Sequence, residues 1–176
     1  MNVKWLESLK KLLFPMLLYL LLDLLTRMMG FTQLGSYLGI KNFLPIVLGL
    51  LFGPYASVGM CAGILLLFPF AGASLPELLT EVSNVTIMSC CAWLLWYMHD
   101  TRPVYLKTIR DYAKFFLIVL LLSPLTAMPS LCLIGLEGFF ETALCYAIFS
   151  VFIGVPILIL STSILCVQPV FPKGKA

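Results

Sequence analysis

Residues 40–70 read IKNFLPIVLGLLFGPYASVGMCAGILLLFPF, from Ile40 to Phe70. A helix needs about 20 apolar residues to cross a bilayer, and this stretch is longer than that. It is interrupted by Gly53-Pro54. Proline fixes φ and removes a backbone donor, and a glycine before it is a turn signal. The stretch is therefore two short spans, a re-entrant hairpin or one kinked helix. The first two return the chain to the side it started from. The third inverts everything downstream.

The rest of the chain has the same character. Of 176 residues, 61% are hydrophobic and 11% charged, with a mean hydropathy of +1.06. Soluble domains are about half apolar and a quarter charged. These values exclude a soluble domain, a disordered chain and a nucleic-acid binder, and predict an all-α integral membrane protein in a single polytopic domain. Further apolar runs lie at about 12–29, 83–97, 113–128 and 142–167, beside the two halves 40–53 and 54–71. Pro156 predicts a kink or tilt in the last run. Ahead of the first, Lys4, Glu7, Lys10 and Lys11 alternate with Trp5, Leu6 and Leu9, the pattern of a short amphipathic lead-in at the membrane surface. No small-residue cleavage site follows the first run, which therefore reads as a retained helix.

Basic residues favour the cytoplasmic side of a membrane. Six spans with both termini cytoplasmic put Lys4, Lys10, Lys11, Arg102, Lys107, Arg110, Lys114, Lys173 and Lys175 there, nine of the eleven basic residues. Arg27 and Lys41 are left outside. Five spans would split the basic residues between the two faces, so six are expected. A re-entrant hairpin at 40–70 has the same parity.

No enzyme signature is present: there is no H-E-x-x-H, G-x-S-x-G, P-loop or dinucleotide fingerprint. The one histidine, His99, cannot form a metal cluster alone, and the six cysteines lack the paired spacing of a zinc site. No cofactor or metal is expected. Polar groups inside a membrane mark function by default. Asp23 and Arg27 are four residues apart and share a helix face, where they can pair. Glu81, Asn84, Thr126, Glu141 and Tyr146 belong with them to the outer half of the bundle, a candidate ligand pocket. The acidic outer face favours a cationic or hydrogen-bond-donating ligand. The inner half carries Trp93, Trp96, Tyr97 and Tyr105, the pattern of an interfacial aromatic belt. Gly49-x-x-x-Gly53 and Gly59-x-x-x-Gly63, flanking Pro54, are small-xxx-small patterns that allow close helix packing or partner docking. Residues 99–114 form a cytoplasmic linker. Asp100 or Thr101 would cap a short amphipathic helix with Pro103 in its first turn, leaving Arg102, Lys107, Arg110 and Lys114 for a cytoplasmic partner.

The segment from Phe43 to Gly63, FLPIVLGLLFGPYASVGMCAG, resembles the substrate-binding S components of energy-coupling-factor (ECF) transporters. Those are small six-span proteins with an apolar helix ending in Gly-Pro followed by a glycine-rich helix. The resemblance implies a bacterial plasma-membrane protein that takes a vitamin or similar micronutrient from outside. It also implies a partner, a transmembrane T component with two cytoplasmic ATPases. The same stretch is similar to membrane-embedded sensor regions that precede kinase or phosphatase domains in bacterial signalling proteins. A sensor or regulatory module, or an accessory subunit of a membrane complex, is therefore the alternative function.

Overall fold

The computed structural model describes residues 3–28, 40–98 and 104–164. Arg102, with His99, Asp100, Thr101 and Pro103, and the tail lysines Lys173 and Lys175 lie outside the described residues. Every regular element among those described is helical. Helix α1 is Val3–Met28. A 3₁₀ turn, Ile40–Phe43, leads into α2, Leu44–Phe52. Then come α3, Pro54–Ala71, α4, Leu75–Tyr97, and α5, Ile109–Phe149. A π-helical turn, Ser150–Gly154, joins α5 to α6, Val155–Ile159, and a second one follows at Leu160–Ile164. Gly135 (φ 83°, ψ −168°) breaks α5 into two arms. Four segments are long and apolar enough to cross a membrane: Pro54–Ala71, Leu75–Tyr97, Ile109–Met128 and Gly135–Thr162.

Gly53-Pro54 is a reversal. Gly53 adopts φ 60° and ψ −139°, a conformation open to glycine at little cost, and Pro54 starts α3, where a missing N–H is harmless. One kinked helix is thereby excluded. The two arms are unequal. The apolar run Lys41–Phe52 is roughly 18 Å long at 1.5 Å per residue, short of about 30 Å of hydrocarbon. Every residue from Lys41 to Gly53 is buried. α2 is thus an internal helix wrapped by its neighbours, which explains why it is apolar on all sides.

The helices pack in two parallel pairs. A Cβ added at Gly59 would lie 2.3 Å from the Leu12 carbonyl oxygen, and one at Gly63 would lie 3.3 Å from that of Met16. Four residues along α3 match four along α1, so the two run in the same direction with backbones in contact. A Cβ at Gly49 would lie 2.5 Å from the Ser89 backbone, and one at Gly53 would lie 2.9 Å from Trp93 Nε1. α2 and α4 are therefore parallel in the same way. The arms of α5 run antiparallel, with Gly154 facing Phe115. These approaches put the four glycines at 49, 53, 59 and 63 inside the bundle.

Several boundaries move. α1 takes in the lead-in, so residues 3–11 continue the first helix. α4 starts eight residues earlier than the apolar run because Ser74 caps it: the Ser74 N–H donates to Glu77 Oε2 at 2.7 Å. The amphipathic helix expected from Pro103 onward is corrected. Val104–Lys107 is not helical, and α5 begins after Thr108, whose N–H donates to Asp111 Oδ2 at 2.9 Å and whose Oγ1 accepts from Asp111 N at 3.3 Å. This reciprocal cap outcompetes the proline signal. Trp96 and Tyr97 are buried in the core, and Trp93 packs edge-on against Tyr97 at 5.9 Å. They hold helices together from inside; they do not form an outward-facing belt.

The close approaches predict an order of tolerance. Gly59→Ala and Gly49→Ala must push backbones apart and should each cost about 1–3 kcal/mol, the usual cost of overpacking. Gly63→Ala, which meets its neighbour at 3.3 Å, should cost clearly less. Thermal unfolding of the three variants in detergent checks the order.

Candidate functional site

The site is built from a constraint. Four ionisable side chains, Asp23, Arg27, Lys41 and Glu81, lie within the helical bundle, where a charge is tolerated only when paired. The i, i+4 spacing on α1 brings Arg27 Nε to Asp23 Oδ2 at 2.7 Å. Lys41, in the 3₁₀ turn, donates from Nζ to Asp23 Oδ1 and to Glu81 Oε1. Tyr19 OH, one turn before Asp23, donates to the same Glu81 oxygen, and the Lys41 ammonium sits 5.3 Å from the centre of the Tyr19 ring. Arg27 Nη1 reaches the Ala71 carbonyl at 3.5 Å, at the end of α3. The result is a ladder, Arg27–Asp23–Lys41–Glu81, that ties α1, the start of α2, and α4 together. Two positive and two negative charges balance within it. The middle members are closed off, with Asp23 and Lys41 side chains 5% and 7% exposed. The end members, Arg27 and Glu81, are 37% and 33% exposed.

A second polar zone lies one turn further along α4. Asn84 Nδ2 approaches Tyr146 OH at 3.4 Å, joining α4 to the second arm of α5. Asn84 Oδ1 is buried without a hydrogen-bond partner among the described residues, as are the hydroxyls of Ser123 and Ser150. Ser150 is one turn from Tyr146. Buried polar atoms are paired in the great majority of cases, so unpaired ones are exceptional.

Among the residues expected from the sequence, Asp23, Arg27 and Glu81 come together in the ladder, and Asn84 and Tyr146 meet beside it. Thr126 is fully buried, but its hydroxyl is turned back on its own helix, donating to the carbonyls of Leu122 and Ser123, both at 3.0 Å. Glu141 is exposed on the second arm of α5. On the opposite end of the bundle, Lys114 Nζ donates to the Trp96 carbonyl and lies 4.7 Å from the centre of its ring. There it satisfies an orphan carbonyl at the end of α4. Lys107 lies over the Tyr105 ring at 5.1 Å, and Arg110 is exposed.

Sequence reasoning missed Lys41 and Tyr19. Lys41 reads as a loop charge on the outer side, whereas it is the central member of the ladder. Charge arithmetic held the signal. Asp23, Arg27 and Glu81 sum to −1, and a −1 inside a membrane bundle calls for a cation. Lys41 is the basic residue that the positive-inside distribution leaves over on the same side. No protein-family model, curated protein or solved structure matches the chain.

The ladder predicts an asymmetric response. Lys41→Met leaves Glu81 without a cation and Asp23 with Arg27 alone, and should cost about 3–5 kcal/mol, as expected when one partner of a buried pair is removed. Glu81→Gln keeps Lys41 on Asp23 and keeps an oxygen for Tyr19, so it should cost much less. Comparing the midpoints of thermal unfolding of the two variants checks this.

Proposed function

We propose that this protein is a membrane-embedded small-molecule-binding subunit, taking its ligand from the outer side of a bacterial plasma membrane. The observation that carries the reading is the half-open charged ladder beside the buried, unpartnered Asn84 Oδ1. In structural networks the great majority of buried acceptors are paired, so an idle one beside a half-open ladder favours a binding role. A binding site keeps polar groups in reserve for its ligand. Arg27 and Glu81 are the charged rim, and Asn84 and Tyr146 are the deeper hydrogen-bonding groups.

The importer part of the proposal rests on the resemblance of residues 43–63 to ECF S components. In that reading the ligand is vitamin-like or another micronutrient, and the partner is a T component with its ATPases. The bundle has six membrane-embedded segments with both termini cytoplasmic. α2 is the short, enclosed member of the six. The exposed Arg110 and Lys107 face the cytoplasmic side. Most of the basic residues lying on one face supports this orientation.

Two experiments test the proposal. Native mass spectrometry of the protein, purified in detergent from its own host, should show a stoichiometric small-molecule adduct that Asn84→Ala weakens by about tenfold or more, the loss of one good buried polar contact. A bare protein under these conditions would overturn the binding reading. For the orientation, single cysteines are introduced into a background with the native cysteines replaced. Glu137→Cys should react with a membrane-impermeant maleimide in intact cells, and Lys107→Cys only after permeabilisation. The opposite pattern would overturn the assigned topology.

A further inference from the structure

The two open ends of the ladder carry opposite charge, and each has valence in reserve. Arg27 uses Nε on Asp23 and Nη1 on the Ala71 carbonyl, which leaves Nη2 without a partner among the described residues. Glu81 uses Oε1 for both Lys41 and Tyr19, which leaves Oε2 in the same position. Between them Asp23 uses both of its oxygens, on Arg27 and Lys41, and the Lys41 ammonium is divided between two carboxylates. The four charges already sum to zero, so a ligand with one net charge would leave the ladder unbalanced in apolar surroundings. A ligand without separated charge would leave both open ends unmatched. A molecule carrying both signs extends the ladder at each end and keeps the sum at zero.

We propose that the Arg27–Glu81 edge binds a zwitterion. Its anionic group, a carboxylate or phosphate, lies on the guanidinium of Arg27, whose planar donors suit such oxygens. Its ammonium group lies on Glu81 Oε2. This rests on the small-molecule reading of the bundle and narrows it to a ligand class. Two sources carry the same dipolar chemistry: a soluble molecule of amino-acid type and the headgroup of a zwitterionic phospholipid.

The full chain, reconstituted in nanodiscs of the anionic lipid DOPG, is titrated by calorimetry with ω-amino acids from glycine to 6-aminohexanoate. Pentanoate and pentylamine serve as single-charge controls. At least one ω-amino acid should bind about tenfold tighter than either control. The advantage should vanish in both Arg27→Gln and Glu81→Gln and persist in Glu81→Asp. In a second arm, the protein is released from nanodiscs of equal DOPE and DOPG into a mass spectrometer. Preferential retention of DOPE, lost in the same two variants, assigns the dipole to a headgroup. Single-charge controls binding as tightly as the zwitterions, or no preference in either arm, overturns the proposal. The comparison of ligands on the unmodified protein stands even if a variant fails to fold. A co-purified ligand of single net charge would also overturn this inference, while leaving the small-molecule reading intact.

Discussion

A lysine ammonium that is almost fully enclosed by apolar helices has to be neutralised where it lies. Lys41 is neutralised by Asp23 from α1 and Glu81 from α4. These two carboxylates come from segments that are far apart in the chain, so the pairing fixes how α1, the entry to α2 and α4 stand against one another. In water such a pair adds little, because hydration competes with it. In a bilayer no hydration competes, and a missing partner leaves a bare charge. The ladder therefore acts as a register pin. The apolar surfaces around it would tolerate several alignments, but the charges tolerate one.

The glycines supply what the ladder cannot. Lipid gives apolar helices no reason to leave it for one another, so cohesion comes from close packing. Gly59 and Gly63 let α3 lie on the backbone of α1, and Gly49 lets α2 lie on that of α4. Because both pairs are parallel, residues at matching heights meet again and again. That repetition carries Lys41 to the level of Glu81 and Gly53 to that of Trp93. The reversal at Gly53-Pro54 then sends α3 back along α1, and α2 remains enclosed.

At the two ends of the bundle the same chemistry is used for different purposes. At one end, Lys114 and Thr108 close off backbone groups, the lysine on the Trp96 carbonyl and the threonine on the first turn of α5. These are capping roles, complete in themselves. At the other end, the ladder stops at half-exposed Arg27 and Glu81, and Asn84 beside it keeps an oxygen unused. The ladder thus ends in two partly exposed charges, whereas the Lys114 and Thr108 contacts are caps.

Much of the architecture was legible in the sequence, because hydropathy and proline act locally. The apolar runs, the break at Gly53-Pro54, the Asp23–Arg27 pair and the glycine contacts each depend on residues within a few positions of one another. Caps were legible in principle too, since Ser74-x-x-Glu77 and Thr108-x-x-Asp111 are written in the chain; there the start of a helix follows the capping residue, not the edge of the apolar run. Tertiary structure alone decided the rest. Hydropathy reports how apolar a segment is, not whether lipid or protein surrounds it, so neither the burial of α2 nor that of Trp96 and Tyr97 could be read in advance. The sum of the buried charges implied a missing cation, but the meeting of Lys41 with Asp23 and Glu81 depends on two parallel helix pairs. Such a contact is set by how backbones approach in three dimensions, which no local pattern of residues encodes.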